Sequence, residues 1–311
     1  MSDFMGVSPM ISRESRDYWQ ELRKKPGFGA VGNEFNLEGL RQGMTGRLDP
    51  ADSNVTCIPS QIDGIPGEWV VAPAADPDLR LLYIHGGGYV SGSGAPYIAM
   101  AAHISAAAQC AVLLPDYRLA PEHPFPAGLE DCIHAHEWMI ASGPHGPAPA
   151  RATFIAGDSA GGGLTLATLL ALRDRNRPLP VAGMPLSACT DLTLASESMQ
   201  SEEDHIFSAR SMPVIVDLYL GKTDPRNPLA SPVFGDFTGI PPLLIQVGEY
   251  EMLRDDSVRV AARARSDGVD VKLEIWPGMV HVFQVRGLPE SREAIEHLAG
   301  FIMNFSRTKN S

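Results

Sequence analysis

A serine among small residues, Gly157-Asp158-Ser159-Ala160-Gly161, stands between a short β-branched run, Ala152–Ala156, and a helix-forming run, Gly162–Leu172. In that setting G-x-S-x-G reads as a nucleophile elbow. Small neighbours let the chain turn sharply, so the hydroxyl projects from the top of a sheet with a helix N-terminus behind it. A serine hydroxyl is a poor nucleophile at neutral pH. It needs a base in contact with it, an acid that orients the base, and donors for an oxyanion.

Each part has a candidate, in the chain order serine, acid, histidine. The apolar run Leu79–Ile84 leads directly into His85-Gly86-Gly87-Gly88-Tyr89. Three glycines let backbone N–H groups turn inward and approach a substrate closely. The amides of Gly87 and Gly88, with that of Ala160, are the expected oxyanion donors. The loop lacks the G-K-[ST] ending and the G-x-G-x-x-G spacing, which disfavours nucleotide binding.

His281 is the expected base, because a short loop, Trp276–Val280, joins it to the end of the strand-like run Val271–Ile275. The other histidines compete poorly. His134 and His136 fall on a polar helix pattern that reads as a solvated face, and His103 and His297 also lie in helical patterns. His123 and His145 lie in proline-rich loops, His205 belongs to a polar insertion where it is placed to touch substrate, and His85 reads as an anchor of the glycine loop. The acid must follow a strand between Ser159 and His281. The run Leu243–Val247 leads into Gly248-Glu249-Tyr250-Glu251-Met252-Leu253-Arg254-Asp255-Asp256. Asp255 and Asp256 precede a helix pattern and read as N-caps. Glu249 and Glu251 remain as loop candidates.

These residues need a scaffold, and the chain alternates strand-like and helix-like runs. Glu68–Ala72, Leu79–Ile84, Ala111–Leu114 and the weaker Val181–Leu186 are the other strand-like stretches. Pro96–Ala108, Leu129–Ala141, Asp255–Ser266 and Glu290–Asn304 read as helices. The pattern predicts an α/β fold with a mainly parallel sheet covered on both faces. Between Thr190 and Thr238 the alternation breaks, leaving polar residues and one helical piece, Met212–Leu220. An insertion there predicts a cap over the site, joined by an N-terminal helix within Ser12–Lys25. The expected organisation is residues 1–50 as the N-terminal part of the cap, 51–189 and 239–311 as the catalytic domain, and 190–238 as the cap insertion.

The chain has 311 residues, 44% hydrophobic and 20% charged, enough for a sizeable core. A formal charge of −12 argues against nucleic acid and anionic membranes as partners. Neither a signal-peptide pattern nor a membrane-length apolar stretch is read, so a cytoplasmic location is expected. Cys57, Cys110, Cys132 and Cys189 are widely spaced, which predicts reduced core thiols and no zinc site.

Together the motifs resemble the hormone-sensitive-lipase-like branch of the α/β-hydrolases, the bacterial family IV esterases. The resemblance rests on His85–Tyr89, Asp116-Tyr117-Arg118-Leu119-Ala120-Pro121-Glu122, Gly157–Gly162, Gly248–Asp256 and Met279-Val280-His281-Val282-Phe283, and spans about residues 55–305. It implies an α/β-hydrolase fold, an eight-stranded sheet with one antiparallel strand, a helical cap, a homodimer through a sheet edge, and cofactor-free hydrolysis of short- to medium-chain carboxylic esters. It also implies Glu251 as the acid. The family loop is commonly G-x-x-D-x-L-x-D, and here Glu251 and Met252 stand where aspartate and often proline are found. Arg118 and Glu122 are expected to pair under the site. Two alternatives stay open: an amidase or deacetylase on the same triad, and a ligand-binding member without catalysis.

Overall fold

The computed structural model describes residues 11–22, 24, 30–31, 34–50, 54–200, 206 and 210–306. Its centre is an eight-stranded sheet. We number its strands β1 (Thr56–Ile62), β2 (Ile65–Val71), β3 (Asp76–Ile84), β4 (Cys110–Pro115), β5 (Ala152–Asp158), β6 (Gly183–Leu186), β7 (Leu243–Gly248) and β8 (Val271–Trp276). Their spatial order is β8-β7-β6-β5-β3-β4-β2-β1. Only β2 runs against the rest, pairing antiparallel with both β1 and β4. The remaining neighbours are parallel. The one antiparallel strand is the one expected.

Every residue of β4, β5, β6 and β7 is buried, as strands covered on both faces require. The helices are α1 (Arg13–Leu22), α2 (Leu37–Gly43), α3 (Ile98–Ala108), α4 (Ala127–Ala141), α5 (Ala160–Asp174), α6 (Met212–Leu220), α7 (Arg254–Ser266) and α8 (Pro289–Ser306). One apolar cluster joins α4 and α5 to the sheet through Leu82, Leu113, Ile155 and Leu169, and a second packs α3 and α8 on the opposite face through Leu81, Phe154, Ile104 and Leu298. Helix α5 is buried along almost its whole length, so its sequence shows no polar stripe.

The helices predicted from residues 96, 129, 212, 255 and 290 onward all form, with bounds shifted by a few residues. Strand β1, the short helix α2 and a small hairpin at Ser142–Pro147 were not separately legible. Helix α1 is tied to α8 at Glu290, whose Oε2 accepts the hydroxyls of Ser12 and Ser15. Helix α6 lies over the glycine loop: Tyr219 stacks on Tyr89 with centroids 3.8 Å apart and planes at 10°. The cysteines are free, three of them buried.

Three expectations are corrected. Arg118 does not pair with Glu122. Asp131 of α4 faces it and accepts both its side chain, at 2.7 Å, and its backbone N–H, at 2.8 Å. Glu122 instead pairs with Arg41 of α2 at 2.6 Å. His136 is not on a solvated face; it is fully buried against Thr153, and burial pushes its pKa down to about 4. Asp255 and Asp256 are not caps. Helix α7 starts at Arg254 behind Leu253 with no side-chain cap, and the two carboxylates bind the 190–198 segment instead.

Candidate active site

Parallel strands present their C-terminal ends on one side of a sheet, and the loops leaving those ends carry the chemistry. Here β8, β7, β6, β5 and β3, neighbours in that order, lead respectively to His281, Glu251, Ser187, Ser159 and the glycine loop. Residues far apart in sequence therefore meet because their strands are adjacent.

Ser159 sits between β5 and α5 with φ 55° and ψ −120°, a left-handed conformation that side chains rarely adopt. The turn is tight enough that its neighbours must be small: a Cβ on Gly161 would lie 2.1 Å from the carbonyl oxygen of Ile84. The Ser159 carbonyl accepts N–H groups from Gly163 and Cys189, and its own N–H donates to Leu186, so the strained turn is held from both sides.

The Ser159 hydroxyl lies 2.9 Å from His281 Nε2, and His281 Nδ1 lies 2.9 Å from Glu251 Oε2. A carboxylate can only accept, so Nδ1 carries the proton and Nε2 is left with its lone pair toward the serine. All three side chains are buried, Glu251 at 1% and His281 at 2% exposure. The other carboxylate oxygen of Glu251 accepts the Ser187 hydroxyl at 2.7 Å and the Gly248 N–H. Ser187 Oγ in turn accepts the N–H of Val282, next to the histidine, at 3.2 Å. The longer glutamate is thus folded back and pinned at one oxygen while the other meets the imidazole.

The rival carboxylates are engaged elsewhere. Glu249 accepts the Gly278 N–H at 2.8 Å, Asp255 binds the Ser198 N–H, and Asp256 binds those of Thr190 and Asp191.

The glycine loop is built to face the serine. Gly87 has φ 120°, and a Cβ there would lie 2.2 Å from the Ser91 carbonyl oxygen, so only glycine fits. His85 anchors the loop as expected: its Nδ1–H donates to the Gly86 carbonyl at 2.7 Å and its ring stacks on Tyr117 at 4.2 Å. Gly87 and Ser159 line one cavity, while Gly88, Ser159 and Ala160 line a second. The first holds about 290 Å³ and is bounded by Tyr97, Asp158, Val285 and Arg286, with Met44 and Leu48 after α2. The second is narrow, about 20 Å³, and apolar, with Cys189, Met212, Ile215 and Met252 in its wall. His205, expected to touch substrate, lies outside the described residues.

Beside the serine, Asp158 accepts the hydroxyls of Tyr83 and Tyr97, each at 3.0 Å, and Tyr97 accepts the Gly86 N–H at 3.0 Å. This network braces the elbow against the glycine loop. Burial raises the Asp158 pKa to about 6 despite the opposing hydroxyl donors. Sequence reading missed Ser187 and the two tyrosines as parts of the site. Ser187 carried one signal, its place right after a strand, but the β6 pattern was weak.

Residues 81–285 match a family model described as alpha/beta hydrolase fold. An acetyl-hydrolase of Streptomyces hygroscopicus is 42% identical over 76% of this chain and 78% of its own length. The chain belongs to the hormone-sensitive-lipase-like branch of the α/β-hydrolases. A crystal structure of an esterase from the bacterial hormone-sensitive lipase family superposes with a TM-score of 0.83 at 38% identity, covering 96% of this α/β-hydrolase and all of that chain. EstE5, crystallised and soaked with p-nitrophenyl butyrate, superposes with a TM-score of 0.87 at 38% identity over 95% of this chain and 99% of that one. Among the described residues no group of side chains could hold a metal ion, and no helix is long and apolar enough to cross a membrane.

Proposed function

We propose that this carboxylic ester hydrolase cleaves short- to medium-chain esters through an acyl-enzyme on Ser159. His281 Nε2 takes the hydroxyl proton as Oγ attacks the ester carbonyl. The amides of Gly87, Gly88 and Ala160 receive the oxyanion. His281 then protonates the departing alcohol, and in the second step it activates water to release the acid. Glu251 holds the Nδ1–H tautomer and stabilises the imidazolium that forms in each step.

The observation that carries this reading is the unbroken hydrogen-bonded line from Ser159 Oγ through His281 to Glu251 at the floor of the cavities. A wide and a narrow cavity on either side of one nucleophile suit the two arms of an ester, and the narrow apolar one limits the arm it takes to a few carbons. The 190–238 insertion and the N-terminal segment form the cap in this reading, supported by α6 packing on the glycine loop. Strand β8 ends the sheet and offers the edge for a homodimer, and unpaired cysteines suit a cytoplasmic enzyme.

The test combines substitution and labelling. Ser159→Ala loses both fluorophosphonate labelling and hydrolysis of p-nitrophenyl butyrate, by about 10⁴-fold or more in kcat. Glu251→Gln loses several orders of magnitude, whereas Glu249→Gln and Asp255→Asn stay within about tenfold of the parent. An active Ser159→Ala variant, or equal losses at all three carboxylates, defeats the assignment.

A further inference from the structure

Among the described residues most arginines are engaged, as Arg41 is by Glu122, Arg118 by Asp131, Arg175 by Glu130 and Arg259 by Asp191. Even Arg226, without a carboxylate, lies over the ring of Phe234. Arg286 differs. It has no hydrogen-bond or salt-bridge partner among the described residues, and it lines the larger cavity that ends at Ser159 and His281. No lysine or other arginine among the described residues lines either catalytic cavity. It closes the short helical turn Phe283–Arg286 that follows the catalytic histidine, so its backbone is fixed relative to the site. Tyr97 lines the same cavity.

A guanidinium is strongly hydrated only in part and prefers planar oxyanion partners, which it binds with two parallel hydrogen bonds. Among the described residues the cavity holds one competing anion, Asp158, and both of its oxygens are already taken by Tyr83 and Tyr97. The rest of the wall is largely apolar: Met44, Leu48, Pro96, Ile206 and Val285. An apolar channel with a reactive serine at one end, and beside it a cation that has no partner among the described residues, fits a chain that carries an ester at one end and a negative charge at the other.

Resting on the esterase reading, we propose that Arg286 forms an anion subsite and that the substrate class is carboxylate-bearing esters, such as half-esters of dicarboxylic acids. The carboxylate is held by Arg286 while the ester carbonyl lies over Ser159. The reaction is the same hydrolysis: water cleaves the acyl C–O bond, the alcohol leaves with one proton, and a dicarboxylic acid is released.

The test compares monoethyl succinate, glutarate and adipate with ethyl butanoate, pentanoate and hexanoate on the intact chain. The readout is the ratio of kcat/KM for each half-ester to that for the neutral ester of equal length. Arg286 is exposed at the cavity mouth, so in Arg286→Gln the best ratio falls about three- to fivefold, as expected for losing an exposed charge pair, and Arg286→Glu lowers it further. Arg286→Lys keeps part of it. Raising salt from about 0.05 M to about 0.5 M lowers the parent's ratio but not that of Arg286→Gln. A ratio unchanged within about twofold in Arg286→Gln, at every chain length, overturns the subsite. A parent enzyme inactive on all six esters refutes the esterase reading instead. The subsite then stands or falls on whether adipate slows fluorophosphonate labelling of Ser159 in the parent more than in Arg286→Gln.

Discussion

Ser187→Ala tests whether the acid works because it is held. The Ser187 hydroxyl is fully buried and donates to Glu251 Oε1 at 2.7 Å. A hydrogen bond to a charged group, removed without solvent to replace it, costs about 1.5–3 kcal/mol. At about 1.4 kcal/mol per factor of ten, that corresponds to roughly 10- to 100-fold. The Gly248 N–H still holds the same oxygen, so the carboxylate swings rather than leaves. The Val282 N–H loses its acceptor at the same time, loosening the residue next to His281. We therefore expect kcat for p-nitrophenyl butyrate to fall about 10- to 100-fold, with KM changed less than about threefold, because Ser187 lines neither cavity. Ser187 also has φ 46°, which raises a rival explanation from backbone strain. Alanine keeps the Cβ and so keeps that strain, while Ser187→Gly removes it. If the hydroxyl matters, both variants lose kcat alike, and the glycine variant unfolds no earlier than the alanine one. Recovery of kcat in Ser187→Gly, or kcat within about twofold of the parent in both, refutes the positioning argument.

Two further outcomes follow from the elbow. Gly161→Ala drives a Cβ to 2.1 Å from the Ile84 oxygen and 2.5 Å from the His85 oxygen, both backbone. It should cost about 3 kcal/mol in denaturant unfolding, and an unchanged midpoint would contradict the packing described. Asp158 has a folded pKa of about 6 against 3.8 for the free group, so the folded state holds its proton more tightly. The resulting stabilisation is complete below about pH 3.8 and is lost as pH rises through about 6. Relative to the parent, Asp158→Asn should therefore gain roughly 3 kcal/mol between about pH 4 and pH 7, whatever its absolute stability. Urea unfolding of both chains across that range measures the difference, and parallel pH curves would refute it.

How legible the site was depended on how local each signal is. The elbow and the glycine loop declare themselves because their backbone geometry demands small residues in consecutive positions: Gly161 for a helix pressed on β3, Gly87 for a left-handed turn. The strands were legible where both faces are buried, as in β5 and β7, because such runs are continuously apolar. Strand β1 escaped because it is an edge strand with a mixed pattern of exposure. The Arg118–Glu122 pairing failed because sequence proximity says nothing about which helix lies opposite; α4 brings Asp131 to one and α2 brings Arg41 to the other.

The acid is the instructive case. Four carboxylates crowd residues 249–256; a helix pattern set Asp255 and Asp256 apart, for a capping role they do not play, and no local pattern separates Glu249 from Glu251. The geometry separates them by what else each must hold. Asp255 and Asp256 tie down the 190–198 segment, and Glu249 braces the loop before His281 through Gly278. Glu251 alone has an oxygen against the imidazole, and it can spare that oxygen because Ser187 and Gly248 occupy the other. A glutamate in place of the usual aspartate gains one bond of reach and one torsion of freedom, and freedom in a residue that must orient another is a cost. A serine at the end of the intervening strand, β6, removes that freedom. The substitution at the acid position and the serine between β7 and β5 are thus best understood as one arrangement: shortening the acid by Glu251→Asp should lose the imidazole contact unless the loop follows, even though aspartate is the commoner residue in the family.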